Sequence, residues 1–186
     1  MDASDLWVSF DDAPVSGTAV LLPVEAYYYD PLAWHDLSDA HDVAVVVLAE
    51  SVEEIMPAAL PPAGLLDQMK ADKTLQDQVF VAVGYGDVRD DKTGGPHSLL
   101  WGDTRRFVEQ TYNALTQSWL KLSMNPATGN GGTCYGDSGG PHFLGETDIV
   151  VSLTVTGDTN CRATDVTYRL DTPSARLFLG QFVDLP

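Results

Sequence analysis

The sequence predicts an all-β protein, and three of its features support this. Gly and Pro account for 16 and 11 of the 186 residues, so the chain is rich in turns. Apolar residues make up 44%, enough to bury a core. They fall into short runs that alternate with polar residues or are rich in β-branched side chains. A chain of this length can form one domain with a full core or two small barrels that share an interface.

The first part of the chain predicts three strands and two irregular segments. Residues 6–10 alternate apolar and polar side chains and predict a strand, and residues 18–24 are predicted to form a second short strand. Residues 41–48 (His-Asp-Val-Ala-Val-Val-Val-Leu) predict a strand that is buried on both faces. Residues 27–40 are expected to form a loop, and residues 51–66, with three prolines, an irregular crossing segment.

The second part predicts at least four further strands and one helix. Residues 67–78 and 87–102 are polar and are expected to be loops, and residues 79–86 form a strand that ends in Gly-Tyr-Gly. Periodicity in residues 105–122 does not separate a helix from a strand, a turn and a strand. Residues 142–144, 148–155 and 164–170 predict strands. Thr172 followed by Pro173 is a helix-start signal, because it places an N-cap before a proline in the first turn.

The stretch with the strongest chemical signal is residues 131–141 (Gly-Gly-Thr-Cys-Tyr-Gly-Asp-Ser-Gly-Gly-Pro). Its glycines allow tight turns and positive φ angles, so a turn here could expose the hydroxyl of Ser138. The backbone N–H groups of Gly136 and Ser138 are placed to converge on one point, as is needed to stabilise the oxyanion of an acyl-transfer intermediate. The plain alternative is a glycine-rich loop with a serine of no function.

Gly-Asp-Ser-Gly-Gly-Pro, with Cys134 four residues before the serine, resembles the nucleophile segment of the trypsin/chymotrypsin-like serine proteases. The resemblance implies a chymotrypsin-like double β-barrel with a short C-terminal helix, and a serine endopeptidase. Ser138 would be the nucleophile, Gly136 and Ser138 the oxyanion hole, and Asp137 the buried acid that pairs with a freed N-terminal amine. Residues 1–66 would be the remainder of a truncated first barrel and the crossover, and residues 67–186 the second barrel and helix.

Two further roles follow from this resemblance. The segment that begins at Asp42 is similar to the family's Asp-Ile-Ala-Leu-Leu, which delivers the triad acid. Asp42 would then accept the Nδ1 proton of a histidine and stabilise the imidazolium, whereas its plain reading is a solvated residue at a strand end. The family spacing also implies a disulfide between Cys134 and Cys161, which would stabilise the fold by roughly 3–4 kcal/mol and indicate an oxidising compartment.

No segment resembles the family's Thr-Ala-Ala-His-Cys, which carries the triad histidine. His41 adjoins Asp42, but neighbours on a strand point to opposite faces, and His142 falls on a packing position. His35 and His97 lie in expected loops. We therefore expect the sequence to be part of a secreted, bacterial-type protease that has lost its beginning and signal peptide, and to be inactive alone. Asp137, without its amine, would be an unpaired buried carboxylate in a poorly formed turn.

The family pattern also suggests the specificity pocket. Gly132 would form the base of the first pocket, so preference for Arg or Lys is not expected. Ser152 and Thr154 would lie on the substrate-binding strand, and Val166 where many members have a glycine. Because Thr154 and Val166 would narrow the pocket, we expect cleavage after Ala or Val, as in the elastase-like members.

The composition limits the partners. A formal charge of −17 argues against nucleic acid and anionic membranes, which need Lys and Arg clusters. We expect a secreted monomer that acts on proteins or peptides and needs no cofactor or metal. A metal site among the Asp and His residues of 30–42 is a weak alternative, since they lack recognisable ligand spacing. The main alternative function is an inactive fragment or pseudoprotease that serves as a binding module.

Overall fold

A computed structural model describes residues 2–89 and 99–186. The strands are β1 (Trp7–Val8), β2 (Leu22–Tyr29), β3 (Ala44–Leu48), β4 (Val79–Gly84), β5 (Val88–Arg89), β6 (Leu99–Leu100), β7 (Arg106–Leu115), β8 (Trp119–Ser123), β9 (Pro141–Leu144), β10 (Val150–Gly157) and β11 (Thr164–Arg169). The α-helices are α1 (Leu65–Ala71) and α2 (Pro173–Leu179), and short 3-10 helices occur at Ala3–Asp5, Leu75–Asp77 and Pro126–Thr128. No helix within these described ranges has the length and apolar character that crossing a membrane requires.

The strands form three sheets, which confirms the predicted all-β fold with a short C-terminal helix. Six strands close into an antiparallel barrel in the order β10-β11-β8-β7-β4-β9. The second sheet is open and has the order β1-β2-β3, and β5 and β6 pair in a small ribbon. Helix α1 runs across residues 66 and 67, where the boundary between the two barrels is expected from the sequence.

Two apolar clusters hold these layers together. Inside the barrel, fully buried Phe80 and Leu120 pack with Leu66 of α1. The second cluster joins the open sheet to the barrel, because Val43, next to β3, packs with Tyr168 of β11 and Phe178 of α2. Burying such side chains supplies most of the free energy that favours folding. The open sheet therefore packs against the barrel and the C-terminal helix.

The structure departs from the sequence expectations at three places. The loop expected at residues 27–40 starts only after residue 29, because Tyr27–Tyr29 continue β2 and pair with β3. The expected loop at residues 67–78 contains the last turns of α1 and a 3-10 helix, since Leu66 and Leu75 are buried in the barrel cluster. Strand β3 is only partly buried, because it is an edge strand with β2 on one side. The expected loop at residues 87–102 lies partly outside the described residues.

A buried arginine links the end of β11 to α1 and to the β7–β8 turn. The Arg169 side chain is nearly inaccessible, and its Nε donates to Asp171 Oδ1 at 2.9 Å. Its Nη2 donates to Asp67 Oδ2 at 2.7 Å and its Nη1 to the carbonyl of Thr116 at 2.7 Å. Burial alone would lower the pKa of Arg169, but the hydrogen bonds from it to Asp171 and Asp67 raise it. The cation is thus fully paired, and so is the buried Asp171 carboxylate, which also accepts the Leu66 N–H at 2.8 Å.

We expect Arg169→Met to lower the free energy of unfolding by about 3–5 kcal/mol, because it leaves the buried Asp171 carboxylate without its cation. Urea unfolding at pH 7 measures this difference. The matched control is Arg162→Met, which removes an exposed arginine and should change stability by no more than about 0.5 kcal/mol. An equal loss in the two variants would show that the buried ion pairs contribute nothing beyond a surface arginine.

Candidate active site

Residues 134–140 form two consecutive turns between β8 and β9. In the first, the N–H of Asp137 donates to the carbonyl of Cys134 at 3.1 Å, and Gly136 has a φ of +97°. A positive φ at the third position is typical of a type II turn and favours glycine there. In the second, the N–H of Gly140 donates to the carbonyl of Asp137 at 2.9 Å. Ser138 lies in this second turn and is exposed, as the glycine-rich sequence predicts.

The carboxylate of Asp137 holds the first turn in place. Its Oδ1 accepts the N–H of Gly86 at 2.7 Å, and its Oδ2 accepts the N–H of Cys134 at 2.8 Å. A Cβ atom on Gly84 or Gly86 would overlap this carboxylate, so the Gly-Tyr-Gly segment has no room for larger residues. The expectation of an unpaired buried carboxylate is therefore wrong. Asp137 is only partly buried, and backbone N–H groups satisfy both of its oxygens.

The predicted disulfide between Cys134 and Cys161 is present, with the two Cα atoms 5.3 Å apart. The second cysteine lies in a loop that is folded around Asp158. The carboxylate of Asp158 accepts backbone N–H bonds from residues 162–164 at 2.7 to 3.1 Å. Burial alone would raise the pKa of Asp158, but these backbone hydrogen bonds lower it. The bridge thus connects the turn at residues 134–140, called here the nucleophile turn, to a loop that the Asp158 carboxylate holds in place.

The residues expected to form the specificity pocket do not share one environment. Gly132 is exposed, and Val166 is partly buried on β11. Ser152 and Thr154, by contrast, have exposed fractions of only 0% and 5%. The Oγ of Ser152 accepts a hydrogen bond from the hydroxyl of Thr167 at 2.8 Å inside the barrel. The side chains of Ser152 and Thr154 are therefore shielded from solvent, and the place of these residues on a substrate-binding strand stays a prediction.

The backbone of Thr154 is also occupied. It accepts the N–H of Gly139 at 2.8 Å and donates to the carbonyl of Gly140 at 2.9 Å, so β10 is fastened to the nucleophile turn at this residue. Beyond it, Thr156 and Gly157 are exposed. Within the described residues they pair with β11 on one side and with no strand on the other. The free edge of β10 therefore begins two residues after Thr154.

Asp42 lies just before β3 and is partly buried. Burial raises the pKa of the Asp42 carboxyl above its ordinary value, although a hydrogen bond from Trp34 opposes the shift. His41, its neighbour, turns away, because its Nδ1 bonds Asp30 at 2.8 Å and its Nε2 lies 3.5 Å from Asp39. No hydrogen bond in the described ranges joins Asp42 to Ser138 or to a histidine.

Asp30 and Asp39 hold the 30–42 segment in place. Asp39 accepts hydrogen bonds from Ser174 of α2 at 2.9 Å and from Ser118 at 3.2 Å, which ties the segment to the barrel. Asp30 accepts the Leu32 N–H at 2.9 Å in addition to His41. Among the residues that the structure describes, no group of three His, Cys, Asp or Glu side chains is arranged to hold a metal ion.

A fully buried histidine, His142, forms a cluster that the sequence did not predict. His142 and Asp165 are fully buried in the barrel, and His142 Nε2 lies 3.0 Å from Asp165 Oδ2. The same oxygen accepts hydrogen bonds from Gln110 at 2.9 Å and from Thr133 at 2.7 Å. Asp165 thereby connects β7, β9 and β11 to the residue that precedes Cys134. The sequence does offer one sign of this cluster, since Asp165 is an acidic residue at an inward-facing position of the alternating strand β11.

Asp165 gives the barrel a pH dependence. Burial alone would raise the pKa of its carboxyl, but the hydrogen bond and charge of His142, with the hydrogen bonds of Gln110 and Thr133, lower it below its ordinary value. A carboxyl whose pKa is lowered in the folded state stabilises the fold at pH values above about 3.9, the pKa that it has in the unfolded chain. That stabilisation is lost as the pH falls through the folded value.

We therefore expect the free energy of unfolding to fall more steeply between about pH 5 and pH 3 in the wild type than in Asp165→Asn, which cannot titrate there. Urea unfolding at pH 3, 4, 5 and 7 gives both curves. Because Asp165→Asn is less stable at every pH, the slopes rather than the absolute values are compared. Parallel curves for the two proteins would show that Asp165 does not titrate as the structure implies.

Histidine contacts decide which general base is available. Neither His41 nor His142 bonds Ser138, since each is paired with a carboxylate elsewhere. His35 is exposed and forms no side-chain hydrogen bond in the described ranges. His97 lies outside the described ranges.

A groove beside the nucleophile turn is lined by Asp137, Gly86, Gly132 and Met124.

The comparisons with known proteins agree with one another. The family model described as Trypsin matches residues 15–177. Among 268 matching solved chains, a structure of HL collagenase superposes with a TM-score of 0.60 and 14% sequence identity, covering 87% of this chain and 68% of the other. That identity is low, so the structural match concerns the fold. No curated protein matches the chain.

Proposed function

Because the chain belongs to the trypsin family, we propose that it is the nucleophile-bearing part of a serine endopeptidase. Ser138 is the nucleophile, and the N–H groups of Gly136 and Ser138 stabilise the oxyanion. Asp42 is the triad acid. One observation carries the proposal: exposed Ser138 follows a type II turn that is already held by the Asp137 carboxylate. Preorganised donors of this kind are usually the largest contribution to acyl-transfer catalysis.

The free edge of β10 supports a peptide substrate. Residues 155–157 follow directly from Thr154, whose backbone is bonded to the nucleophile turn. An extended peptide that adds to this edge would place its scissile bond beside Ser138, and its main chain would supply much of the affinity. Thr156 and Gly157 extend the proposed substrate-binding strand beyond Ser152 and Thr154, while Gly132 and Val166 remain the proposed pocket residues.

Asp137 has a second proposed role, as the partner of an N-terminal amine that enters the groove lined by its carboxylate. In the family, the corresponding acid pairs with a freed N-terminal amine. Here its two oxygens already accept the N–H groups of Gly86 and Cys134. An amine that enters the groove would add to these bonds rather than rescue an unpaired charge, so the turn does not depend on it.

The general base is the component that the described residues do not supply. A serine hydroxyl stays protonated at neutral pH and is a weak nucleophile until a base activates it. His41 and His142 are paired with Asp30 and Asp165. These pairings favour the alternative function, a non-catalytic binding module, for the chain on its own. We propose that catalysis requires a histidine-bearing segment that reaches Ser138 and Asp42.

Labelling with a fluorophosphonate, read by intact mass, tests this proposal. We expect no adduct on the chain alone, because loss of the base lowers the rate of a serine protease triad by roughly six orders of magnitude. Adding a polypeptide that carries the family's histidine segment should restore one adduct per chain. Ser138→Ala is the matched control and should never be labelled.

A stoichiometric adduct on Ser138 of the chain alone would contradict the proposal, because another group must then act as base. Absence of labelling with every added histidine segment would favour the binding module instead.

For the complemented enzyme that has not been treated with the label, we expect cleavage after Ala or Val, since Val166 narrows the pocket above Gly132. Val166→Gly should raise kcat/KM for a Leu or Phe substrate by about tenfold or more, as expected when a pocket gains room for several methylenes. Kinetics with matched chromogenic peptides measures this, and Leu177→Ala on the exposed face of α2 is the control. Efficient cleavage after Arg would contradict the assignment of Gly132.

The Cys134–Cys161 bridge supports a location in an oxidising compartment. With the family membership, this leads us to propose that the protein acts outside the cell on protein or peptide substrates, as a monomer.

A further inference from the structure

The nucleophile turn and the residues that lead into it have little backbone attachment to the barrel. Five of the ten residues 131–140 are glycines, which lose more conformational freedom on folding than any other residue. The N–H of Gly131 donates to the carbonyl of Glu109 on β7 at 3.2 Å. In the part of the chain that the structure describes, no backbone hydrogen bond joins residues 132–138 to a barrel strand. Side chains must therefore fix this segment to the barrel.

A single carboxylate oxygen is bonded to residues on both sides of the nucleophile turn. Thr133, which directly precedes the turn, donates its hydroxyl to Asp165 Oδ2 at 2.7 Å. His142, two residues after the turn, places its Nε2 atom 3.0 Å from the same oxygen. The side-chain amide of Gln110 on β7 donates to it as well, at 2.9 Å. This oxygen therefore closes the base of the loop 133–142, which contains the nucleophile turn.

The cluster around this oxygen is closed to solvent. Gln110, His142 and Asp165 have exposed fractions of 0%, and Thr133 has one of 8%. Asp165 Oδ1 has no hydrogen-bond partner among the described residues, so the three neighbours share Oδ2. A buried carboxylate is costly, and apolar residues of the same volume often give a fold as much stability. What the carboxylate adds is a fixed location for its donors, because hydrogen bonds are directional and apolar contacts are not.

We propose that Asp165 is a positioning residue for the nucleophile turn and, through it, for the oxyanion donors. Its bond to Thr133 fixes the residue that lies between the proposed pocket base, Gly132, and the first residue of the turn, Cys134. Asp165 thus fastens the start of the turn to β11, whereas Asp137 fastens it to the segment after β4. The effect on catalysis rests on the proposed function, but the effect on the turn itself does not.

Amide hydrogen exchange of the chain alone, followed by NMR, tests the effect on the turn. The amides to follow are those of Asp137 and Gly140, whose N–H groups close the two turns. Thr133→Val removes the hydroxyl and keeps the shape of the side chain. We expect both amides to exchange about tenfold or more faster in this variant, because the start of the turn opens more often. Thr133→Ser keeps the hydroxyl and should restore both exchange rates to within about twofold of the wild type.

Thr167→Val is the matched control, because Thr167 is also fully buried and its hydroxyl is bonded to Leu120 of β8 at 2.9 Å rather than to the turn. We expect both Thr→Val variants to lose stability in urea unfolding. Only Thr133→Val should speed exchange at Asp137 and Gly140, since these amides exchange through local opening of the turn. Unchanged exchange in Thr133→Val, or an equal acceleration in the two variants, would overturn the proposal.

Peptide hydrolysis by the complemented enzyme gives the kinetic counterpart. Thr133→Val should lower kcat about tenfold or more and change KM by less than about twofold, because misplaced oxyanion donors weaken binding of the transition state and not of the substrate. Thr133→Ser should restore kcat. An unchanged kcat in Thr133→Val would overturn the link between Asp165 and the oxyanion donors. If the complemented wild type is inactive, the proposed function fails, and amide exchange alone decides the role of Asp165.

Discussion

The carboxylate of Asp137 is the contact on which the candidate site depends. It joins the end of the Gly-Tyr-Gly segment after β4 to the turn that carries Ser138, through one backbone N–H on each side. Both bonds are charge-assisted, and such bonds are about twice as strong as those between neutral groups. They explain why glycines are needed at positions 84 and 86, where any Cβ would overlap the carboxylate. They also hold the turn although no Lys or Arg among the described residues pairs with Asp137.

Other carboxylates of this acidic protein are paired with hydrogen-bond donors in the same way. Asp158 is held by backbone N–H groups, Asp165 by His142, Gln110 and Thr133, and Asp171 by Arg169 and the N–H of Leu66. Each buried or half-buried carboxylate thus has donors that offset its loss of hydration. In the barrel, acids act as connectors between elements. In residues 1–69, where Lys and Arg are absent, most of the thirteen acidic residues are exposed and give this part of the chain its negative charge.

Local signals in the sequence predicted much of this. The glycine-rich turn that exposes Ser138 and the start of α2 are predicted from local signals, because glycine and an N-cap followed by proline restrict the backbone wherever they occur. The Cys134–Cys161 bridge is predicted by the resemblance to the family, since the residues alone leave two free thiols possible. The burial of the Ser152 and Thr154 side chains could not be predicted, because β10 has register shifts against both neighbouring strands and these change which residues face the barrel interior. The Asp165 cluster joins three strands that lie far apart in sequence. Helix α1 was missed because its short apolar pattern gains its stability from the barrel against which it packs.

Amide hydrogen exchange at Gly86 and Cys134, followed by NMR, tests the central claim most directly. If Asp137 anchors the turn, both amides exchange about a hundredfold or more slowly than in an unfolded chain, and Asp137→Ala abolishes this protection while Ala82 in β4 stays protected. Unprotected exchange at Gly86 and Cys134 in the wild type would contradict the account, because the nucleophile turn would then lack the anchor from which its geometry is derived.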